Sequence, residues 1–188
     1  MIKSEGELSV WLGDMADQPL PGGVSAAALA AAMGAALCAK AARVTLRRRE
    51  VNDTDRIALE VVVDRASEDR SALIRLVEAD QQAYQAVLDI GDPLTSGQIW
   101  QAATEVPVKV AETSQSLLAD RALLEGVCWS SARVDLDVGL RLLEVGLHAG
   151  LRAAEANLGW WGDADEAADL RLRTERLRQQ SVEEDVLD

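Results

Sequence analysis

The stretch LPGGVSAAALAAAMGAALCAKAARVT, residues 20–45, decides the fold of this 188-residue chain. Pro21, Gly22 and Gly23 form a turn, and Ser25 leads into a helix made largely of alanine. We expect the two glycines to adopt backbone angles that a side chain would forbid, and Ser25 to cap the helix. The helix would run about 30 Å, and its small side chains would let neighbouring helices approach closely.

Two functions are open for this turn and helix. The first is structural, a central bundle helix entered through a tight turn. The second is a glycine-lined site for an anion or a cofactor, because free N–H groups and the helix dipole favour negative charge at a helix N-terminus. The residues of this stretch do not separate the two. A membrane span is disfavoured, because Lys40 and Arg43 interrupt the apolar run before the roughly 20 residues that a bilayer needs.

The composition favours one acidic, soluble domain that spans residues 1–188. A chain of this length can bury a substantial core, and no linker-like stretch divides it. The 19 basic and 32 acidic residues give a net charge of −13, which disfavours nucleic acid and anionic membranes as partners. Two cysteines are too few for a disulfide framework, and the first residues lack the apolar core of a signal peptide. We therefore expect a cytoplasmic protein.

Helical periodicity runs through almost the whole chain, and no alternating strand or hairpin signal interrupts it. We predict an all-α bundle of about six helices with the alanine-rich helix at its centre. Pro107 falls inside the pattern of one helix and should kink it. The acidic end, residues 181–188, is expected to be frayed and to have no packing role.

One carboxylate falls on the apolar seam of a long helix. Leu73, Val77, Tyr84 and Val87 repeat at heptad-like spacing, and Asp80 lies on the same seam. Burying a carboxylate is costly unless it is paired or hydrogen-bonded, so an inward aspartate serves either structure or chemistry. The residues leave both open. Desolvation would raise the pKa of this carboxyl and suit it to proton transfer near neutral pH.

Other polar positions are weaker candidates for a site. Asp135 lies near a helix start, where the dipole favours an acid, and Asn157 lies near the end of the same helix. His148 has no second ligand at metal spacing, and no metal site is predicted. Lys40 and Arg43 on the alanine helix are expected to pair with acids, with Glu155 as the first choice.

Four blocks of the chain resemble, in order and spacing, the motifs of one known family. PGGVSAAALAAAMGAAL resembles a glycine-serine turn with an alanine helix, and LVEADQQAY resembles an acidic-then-aromatic motif. AATEVPVKVAET is similar to a Val-Pro helix, and VDLDVGLRLLEVGLHAGLRAAEANL to a Ser-Asp helix that ends in Asn-Leu. The family contains the cyclodeaminase domain of formiminotransferase-cyclodeaminase and bacterial methenyltetrahydrofolate cyclohydrolases. The blocks cover most of the chain up to Leu158.

The resemblance implies an all-helical homodimer that binds folate in a cleft near the dimer contact. The substrate would be a tetrahydrofolate derivative, with no metal. A cyclodeaminase converts 5-formiminotetrahydrofolate to 5,10-methenyltetrahydrofolate and ammonia, whereas a cyclohydrolase hydrolyses the methenyl form to 10-formyltetrahydrofolate. A separate formiminotransferase is a further partner that the resemblance suggests.

The resemblance also assigns roles to residues. By position, the catalytic acid of the family corresponds to Asp80. The substrate-binding positions correspond to Pro21, Gly22, Gly23, Ser25, Asp135 and Asn157. Because the protein is so acidic, a polyglutamylated folate tail would need a local basic patch, for which Arg47, Arg48 and Arg49 are the candidates. The alternative for these arginines is a solvated charge run.

Three departures from the family pattern keep other hypotheses open. Val24 stands where the family has its third glycine, Val134 replaces a serine, and Ala153 replaces an asparagine one turn before Asn157. A divergent member that has changed or lost the reaction, and acts as a binding or assembly module, is the alternative. A third hypothesis, a bundle with no ligand, would need Asp80 to be merely hydrogen-bonded in the core.

Overall fold

The structure is a computed structural model that describes residues 5–89, 97–161 and 165–185, and all regular structure in these ranges is helical. The α-helices, in chain order, are α1 (Glu5–Asp17), α2 (Gly23–Leu46), α3 (Asp53–Leu88), α4 (Gly97–Leu118), α5 (Arg121–Val127), α6 (Arg133–Trp161) and α7 (Ala168–Asp185). Short 3-10 turns, Ser130–Ala132 and Asp165–Ala167, precede α6 and α7. The prediction of an all-α fold is confirmed, and α5 is the one short helix among those described.

The alanine-rich helix α2 lies at the centre of the bundle, between α3 and α6. Twelve of its residues are buried, and eight of these are alanine. By length and hydropathy α2 meets the criteria for a membrane span, and 56% of its most apolar window is buried inside the bundle. Burial of that extent is what a core helix requires, and the predicted central position of α2 is confirmed.

Glycines allow α6 to approach both α2 and α4. A Cβ atom on Gly34 would lie 2.7 Å from the carbonyl oxygen of Gly139. A Cβ atom on Gly150 would lie 2.7 Å from the carbonyl oxygen of Pro107. Packed interiors do not tolerate carbon–oxygen contacts this short, so the spacing of these helices depends on the absence of a side chain. The close approach expected from the small residues of α2 is present.

We expect Gly146→Ala to destabilise the bundle. The added Cβ would lie 2.5 Å from Ser114 Oγ and 2.6 Å from Ala31 Cβ, in contact with α4 and α2 at once. Overpacking of this kind costs about 1–3 kcal/mol, which urea denaturation would measure. Gly159→Ala is the matched control in the same helix, because its Cβ would meet nothing within 4 Å. Equal stability of the two variants would contradict the packing argument.

The fourth core helix, α4, packs on α6 and α3, and α7 packs along α4. Pro107 is fully buried inside α4, which runs without interruption from Gly97 to Leu118. On the outer side of α4, the guanidinium of Arg173 donates hydrogen bonds to Glu105 at 3.1 Å and to Glu112 at 2.7 Å. These bonds fix α7 against α4.

Helix α7 packs against the bundle further toward the C-terminus than the acidic composition of residues 181–188 suggests. Helix α7 continues to Asp185, and Ser181 is buried. The prediction that residues 181–188 have no packing role is therefore wrong for Ser181, because the period of α7 turns its side chain toward the bundle. Residues 186–188 lie outside the described part of the chain.

Candidate functional site

A cleft of about 500 Å³ opens where the start of α2 meets α3, α4 and the last turns of α6. This volume is within the range of pockets that hold small organic molecules. Its polar wall comes from Asp80 of α3 and Asn157 of α6, and its floor from the turn that begins α2. The remaining lining residues are Pro19, Leu20, Gly22, Gly23, Val24, Ala83, Tyr84, Val87, Trp100, Ala103, Ala153 and Trp160.

The carboxylate of Asp80 is joined to the start of α2 by a short hydrogen bond. Ser25 Oγ donates to Asp80 Oδ2 at 2.7 Å, and the serine is completely buried. The prediction that Ser25 caps α2 is wrong, because the N-cap residue is Gly22 and Ser25 lies inside the first turn. Its hydroxyl group instead donates a hydrogen bond to Asp80 of α3. The seam on α3 therefore does turn Asp80 inward, toward the alanine helix.

Burial raises the pKa of Asp80 above the usual value for an aspartate, and hydrogen bonds from the hydroxyl and the backbone of Ser25 lower it only in part. A carboxyl group with a raised pKa holds its proton closer to neutral pH. It can therefore both accept and donate a proton during a reaction in the cleft. The hydrogen bonds from Ser25 keep the group oriented while it does so.

The glycine turn has a different role from the one that its residue types suggest. Gly22 has φ −105° and ψ −166°, an extended conformation that any residue adopts, and neither Gly22 nor Gly23 has a positive φ. The expected special backbone angles are therefore absent. A Cβ atom on either glycine would meet nothing within 4 Å. Both residues line the cleft, so the space that their missing side chains leave is open to a ligand.

Asn157 faces the same cleft from α6. Its Nδ2 atom donates a hydrogen bond to the carbonyl oxygen of Ala103 in α4 at 2.9 Å. The side chain is half-buried. Because the amide nitrogen is hydrogen-bonded to α4, the amide oxygen is left as the acceptor that Asn157 offers to a ligand.

Aromatic side chains are concentrated at the cleft. The chain has five tryptophans, one tyrosine and no phenylalanine, and Tyr84, Trp100 and Trp160 all line this one cavity. Trp160 is 74% exposed, although it is large and apolar. Trp100 and Trp160 were not among the site residues predicted from the sequence. The scarcity of aromatic residues in the chain as a whole is the signal that would have drawn attention to them.

A profile of formiminotransferase-cyclodeaminase matches residues 13–176. The chain belongs to this family. It is also similar to the crystal structure of a formiminotetrahydrofolate cyclodeaminase from Thermotoga maritima, with a TM-score of 0.78 and 20% sequence identity. The match covers 87% of this chain and 83% of that one, and at this identity it shows a common fold. Comparison with proteins of curated function gave no match.

Several positions that correspond to the motifs of the cyclodeaminase family meet in the cleft. Asp80, Gly22, Gly23 and Asn157 line it, and Ser25 is bonded to Asp80. The structure thus brings together residues that are up to 135 positions apart, from Gly22 to Asn157. Pro21, which follows a cis peptide bond, is buried just before Gly22.

Asp135 does not share the cleft with Asn157. The two residues lie near opposite ends of α6, which at 1.5 Å per residue separates them by roughly 33 Å. Asp135 instead accepts a salt bridge from Lys40 Nζ at 2.8 Å. The pairing of Lys40 with Glu155 that we expected is therefore wrong. The pair that does form is largely exposed on the lysine side, so it contributes less than about 1 kcal/mol. Arg43, for which we also expected an acid, donates to Ser67 Oγ at 3.1 Å.

The arginine run also lies away from the cleft of its own chain. It follows the C-terminal end of α2, whereas the cleft is at the N-terminal end, about 35 Å away at 1.5 Å per residue. The guanidinium of Arg48 lies over the ring of Trp129, 4.6 Å from its centroid. Arg47 and Arg49 are exposed. A folate with a short tail, bound in this cleft, would therefore not contact the arginines of the same chain.

Two of the three departures from the family pattern lie at the cleft. Val24 and Ala153 line it, whereas Val134 is exposed at the other end of α6. His148 is exposed on α6. Within the ranges that the structure describes, no three His, Cys, Asp or Glu side chains are grouped as a metal site would need.

Proposed function

We propose that this protein is a folate-dependent one-carbon enzyme that closes 5-formiminotetrahydrofolate to 5,10-methenyltetrahydrofolate with release of ammonia. The observation that carries the proposal is the half-buried Asp80 carboxyl, raised in pKa and held by Ser25 in the wall of a cleft of about 500 Å³. Membership of the cyclodeaminase family supports a folate as the ligand. We assign Asp80 the catalytic role.

The shape and chemistry of the cleft support a flat ligand with polar edges. Tyr84, Trp100 and Trp160 offer aromatic faces on which a pterin ring can stack, and stacked aromatic pairs add about 0.5–1.5 kcal/mol beyond the area they bury. Gly22 and Gly23 leave room for the ring to lie against backbone. The amide oxygen of Asn157 can accept a hydrogen bond from a ring nitrogen or amino group.

The proposed reaction requires two proton transfers, and one carboxyl group can perform both. The N10 atom of the folate attacks the carbon of the protonated formimino group, so a carbon–nitrogen bond forms, the formimino nitrogen becomes an amino group, and N10 loses its proton. The bond from that carbon to the amino nitrogen then breaks, and this nitrogen leaves as ammonia after it has taken up a proton. We propose that Asp80 accepts the first proton as a base and donates the second as an acid.

Hydrolysis of the methenyl form is the second candidate activity. The same carboxylate can accept a proton from a water molecule that attacks the methenyl carbon, so Asp80 suits a cyclohydrolase equally well. The third candidate, a divergent binding module, is favoured by Val24 and Ala153, which narrow the cleft and remove a polar group from its lining.

One absorbance assay separates the three candidates. Methenyltetrahydrofolate absorbs differently from both the formimino and the formyl forms. Its formation from the formimino form and its hydrolysis to the formyl form can therefore both be followed by absorbance with the same enzyme. Formation of the methenyl form with release of ammonia supports the cyclodeaminase, and acceleration of its hydrolysis supports the cyclohydrolase. Binding of tetrahydrofolate without either reaction supports the binding module. No binding and no turnover would reject the proposal.

We also propose that the protein is a cytoplasmic homodimer. A separate formiminotransferase would supply its substrate. Leu8, Val10 and Leu12 of α1 are exposed, and so is Ile74 of α3. Leu8 and Ile74 line one shallow groove. A second copy of the chain would cover this apolar surface.

Light scattering at low micromolar concentration is expected to give twice the 20.2 kDa mass of one chain. Replacing Leu8 and Leu12 with aspartate should shift the mass toward that of the monomer, because charges would then lie in the contact. A stable, folded monomer of the unaltered protein would contradict the dimer.

A further inference from the structure

The carbonyl group of Ala103 has an exceptional position in α4. In a regular helix it would accept a hydrogen bond from the backbone N–H four residues later, at position 107. That residue is Pro107, which has no N–H, so this bond cannot form. Ala103 is buried, and a buried carbonyl group without a partner costs free energy.

The missing donor comes from α6. Asn157 Nδ2 donates to the carbonyl oxygen of Ala103 at 2.9 Å. Two turns before Asn157, Gly150 brings α6 against the same part of α4, where a Cβ would lie 2.7 Å from the oxygen of Pro107 and 3.0 Å from the nitrogen of Ala111. The proline therefore leaves the carbonyl oxygen of Ala103 as a free acceptor. The close approach of α6 to α4 brings the amide group of Asn157 within hydrogen-bond distance of this oxygen.

We propose that Pro107 is a positioning residue that orients Asn157 for the ligand of the cleft. Because Pro107 has no N–H, the carbonyl oxygen of Ala103 is free to accept a hydrogen bond from the amide nitrogen of Asn157. This bond holds the nitrogen against α4 and turns the amide oxygen toward the cleft, which Ala103 and Asn157 both line. Pro107 itself does not line the cleft. The orientation of Asn157 is a property of the protein without ligand, and only its effect on folate binding rests on the proposed function.

Nuclear magnetic resonance of the ligand-free protein tests the orientation directly. Asn52 and Asn157 are the two asparagines of the chain, so selective ¹⁵N labelling of asparagine yields two side-chain NH₂ groups. Asn52 donates to Asp55 at an exposed position and is the internal reference. In the parent protein we expect the half-buried Asn157 amide to exchange with solvent more slowly than that of Asn52. Pro107→Ala restores an N–H at position 107, so it should remove this protection of Asn157 and leave Asn52 unchanged.

Val108→Ala is the matched control. It also shortens a completely buried side chain of α4, but it leaves the proline and the free carbonyl in place. Pro107→Val adds a second test, because it restores the N–H without opening a cavity. Protection of Asn157 that survives both Pro107 variants, or that Val108→Ala removes equally, would overturn the inference.

Binding of tetrahydrofolate measures the consequence for the site. Loss of one oriented hydrogen bond is expected to raise the Kd by about fivefold in Pro107→Ala. In an Asn157→Ala background the same substitution should have no further effect, because the residue that it positions is gone. Additive effects would overturn the positioning role. A parent protein that binds no folate, while Pro107→Ala still releases the Asn157 amide, would reject the proposed function and leave the orientation by Pro107 supported.

Discussion

Asp80→Asn is expected to lower turnover of 5-formiminotetrahydrofolate by on the order of a hundredfold or more, while folate still binds. The asparagine has the shape of the aspartate and can still accept the hydrogen bond from Ser25, so the cleft should keep its form. It cannot take up the proton from N10 or return one to the leaving nitrogen. The rate is measured from the absorbance of the methenyl product, and the Kd by calorimetry with tetrahydrofolate.

Asp69→Asn is the matched control for this substitution. Asp69 lies on the same helix, and burial raises its pKa as it does that of Asp80, but it does not line the cleft. Its replacement should leave turnover unchanged. If Asp80→Asn binds folate, melts normally and turns over at the parent rate, the catalytic assignment is wrong.

The raised pKa of Asp80 also predicts how stability depends on pH. The folded protein holds this proton to a higher pH than the unfolded chain, in which the value is near 3.8. The stabilising effect of the proton is therefore complete below about pH 3.8 and is lost as the pH rises through the folded pKa. Asp80→Asn removes this loss. Thermal unfolding should therefore show the melting temperature of the variant rising relative to that of the parent as the pH increases through that range. A difference that is constant with pH would contradict the raised pKa.

The arrangement around Asp80 could be predicted because it depends on local periodicity. The spacing of Asp80 from Leu73 and Val77 determines which face of α3 it occupies, whatever the neighbours are. The small residues of α2 identify the one helix that others can approach closely, and α2 is the wall opposite Asp80. Both inferences need only the period of a helix and the size of side chains.

The remaining site residues depend on relations between helices that sequence patterns do not contain. The bond between Asn157 and Ala103 requires the register of α6 against α4, which the contacts of Gly150 and Gly146 set. The role of Gly22 and Gly23 depends on what surrounds them, because their own backbone angles are ordinary.

Helix length, by contrast, does bear on the arginine run. A helix of 24 residues spans about 36 Å, so residues at its two ends cannot contact one small ligand. Residues 47–49 therefore contact a folate tail only if the tail is long enough to span this distance, or if the cleft belongs to another subunit. The tail-binding role stays a prediction for the assembled protein.

Gly23→Val is the second substitution for which we expect a large effect, this time on binding. The valine side chain would project into a space where nothing lies within 4 Å of the Cβ, and that space is the floor of the cleft. Because Gly23 has no positive φ, the substitution introduces no backbone strain. We expect the Kd for tetrahydrofolate to rise by roughly tenfold to a hundredfold, since forcing extra methyl groups into an occupied space costs about 1–3 kcal/mol.

The stability of the same variant separates a ligand site from a structural turn. If the glycine is required by the fold, Gly23→Val should unfold at lower urea concentration than the parent; if it is required by the ligand, the unfolding midpoint should stay or rise, because a helical glycine is itself unfavourable. Gly126→Val is the control, since Gly126 is also helical, has nothing within 4 Å of its Cβ position and does not line the cleft. Unchanged folate affinity in Gly23→Val would show that the ligand does not lie against the start of α2. Weaker folate binding together with an unchanged unfolding midpoint would show that the ligand does lie against the start of α2.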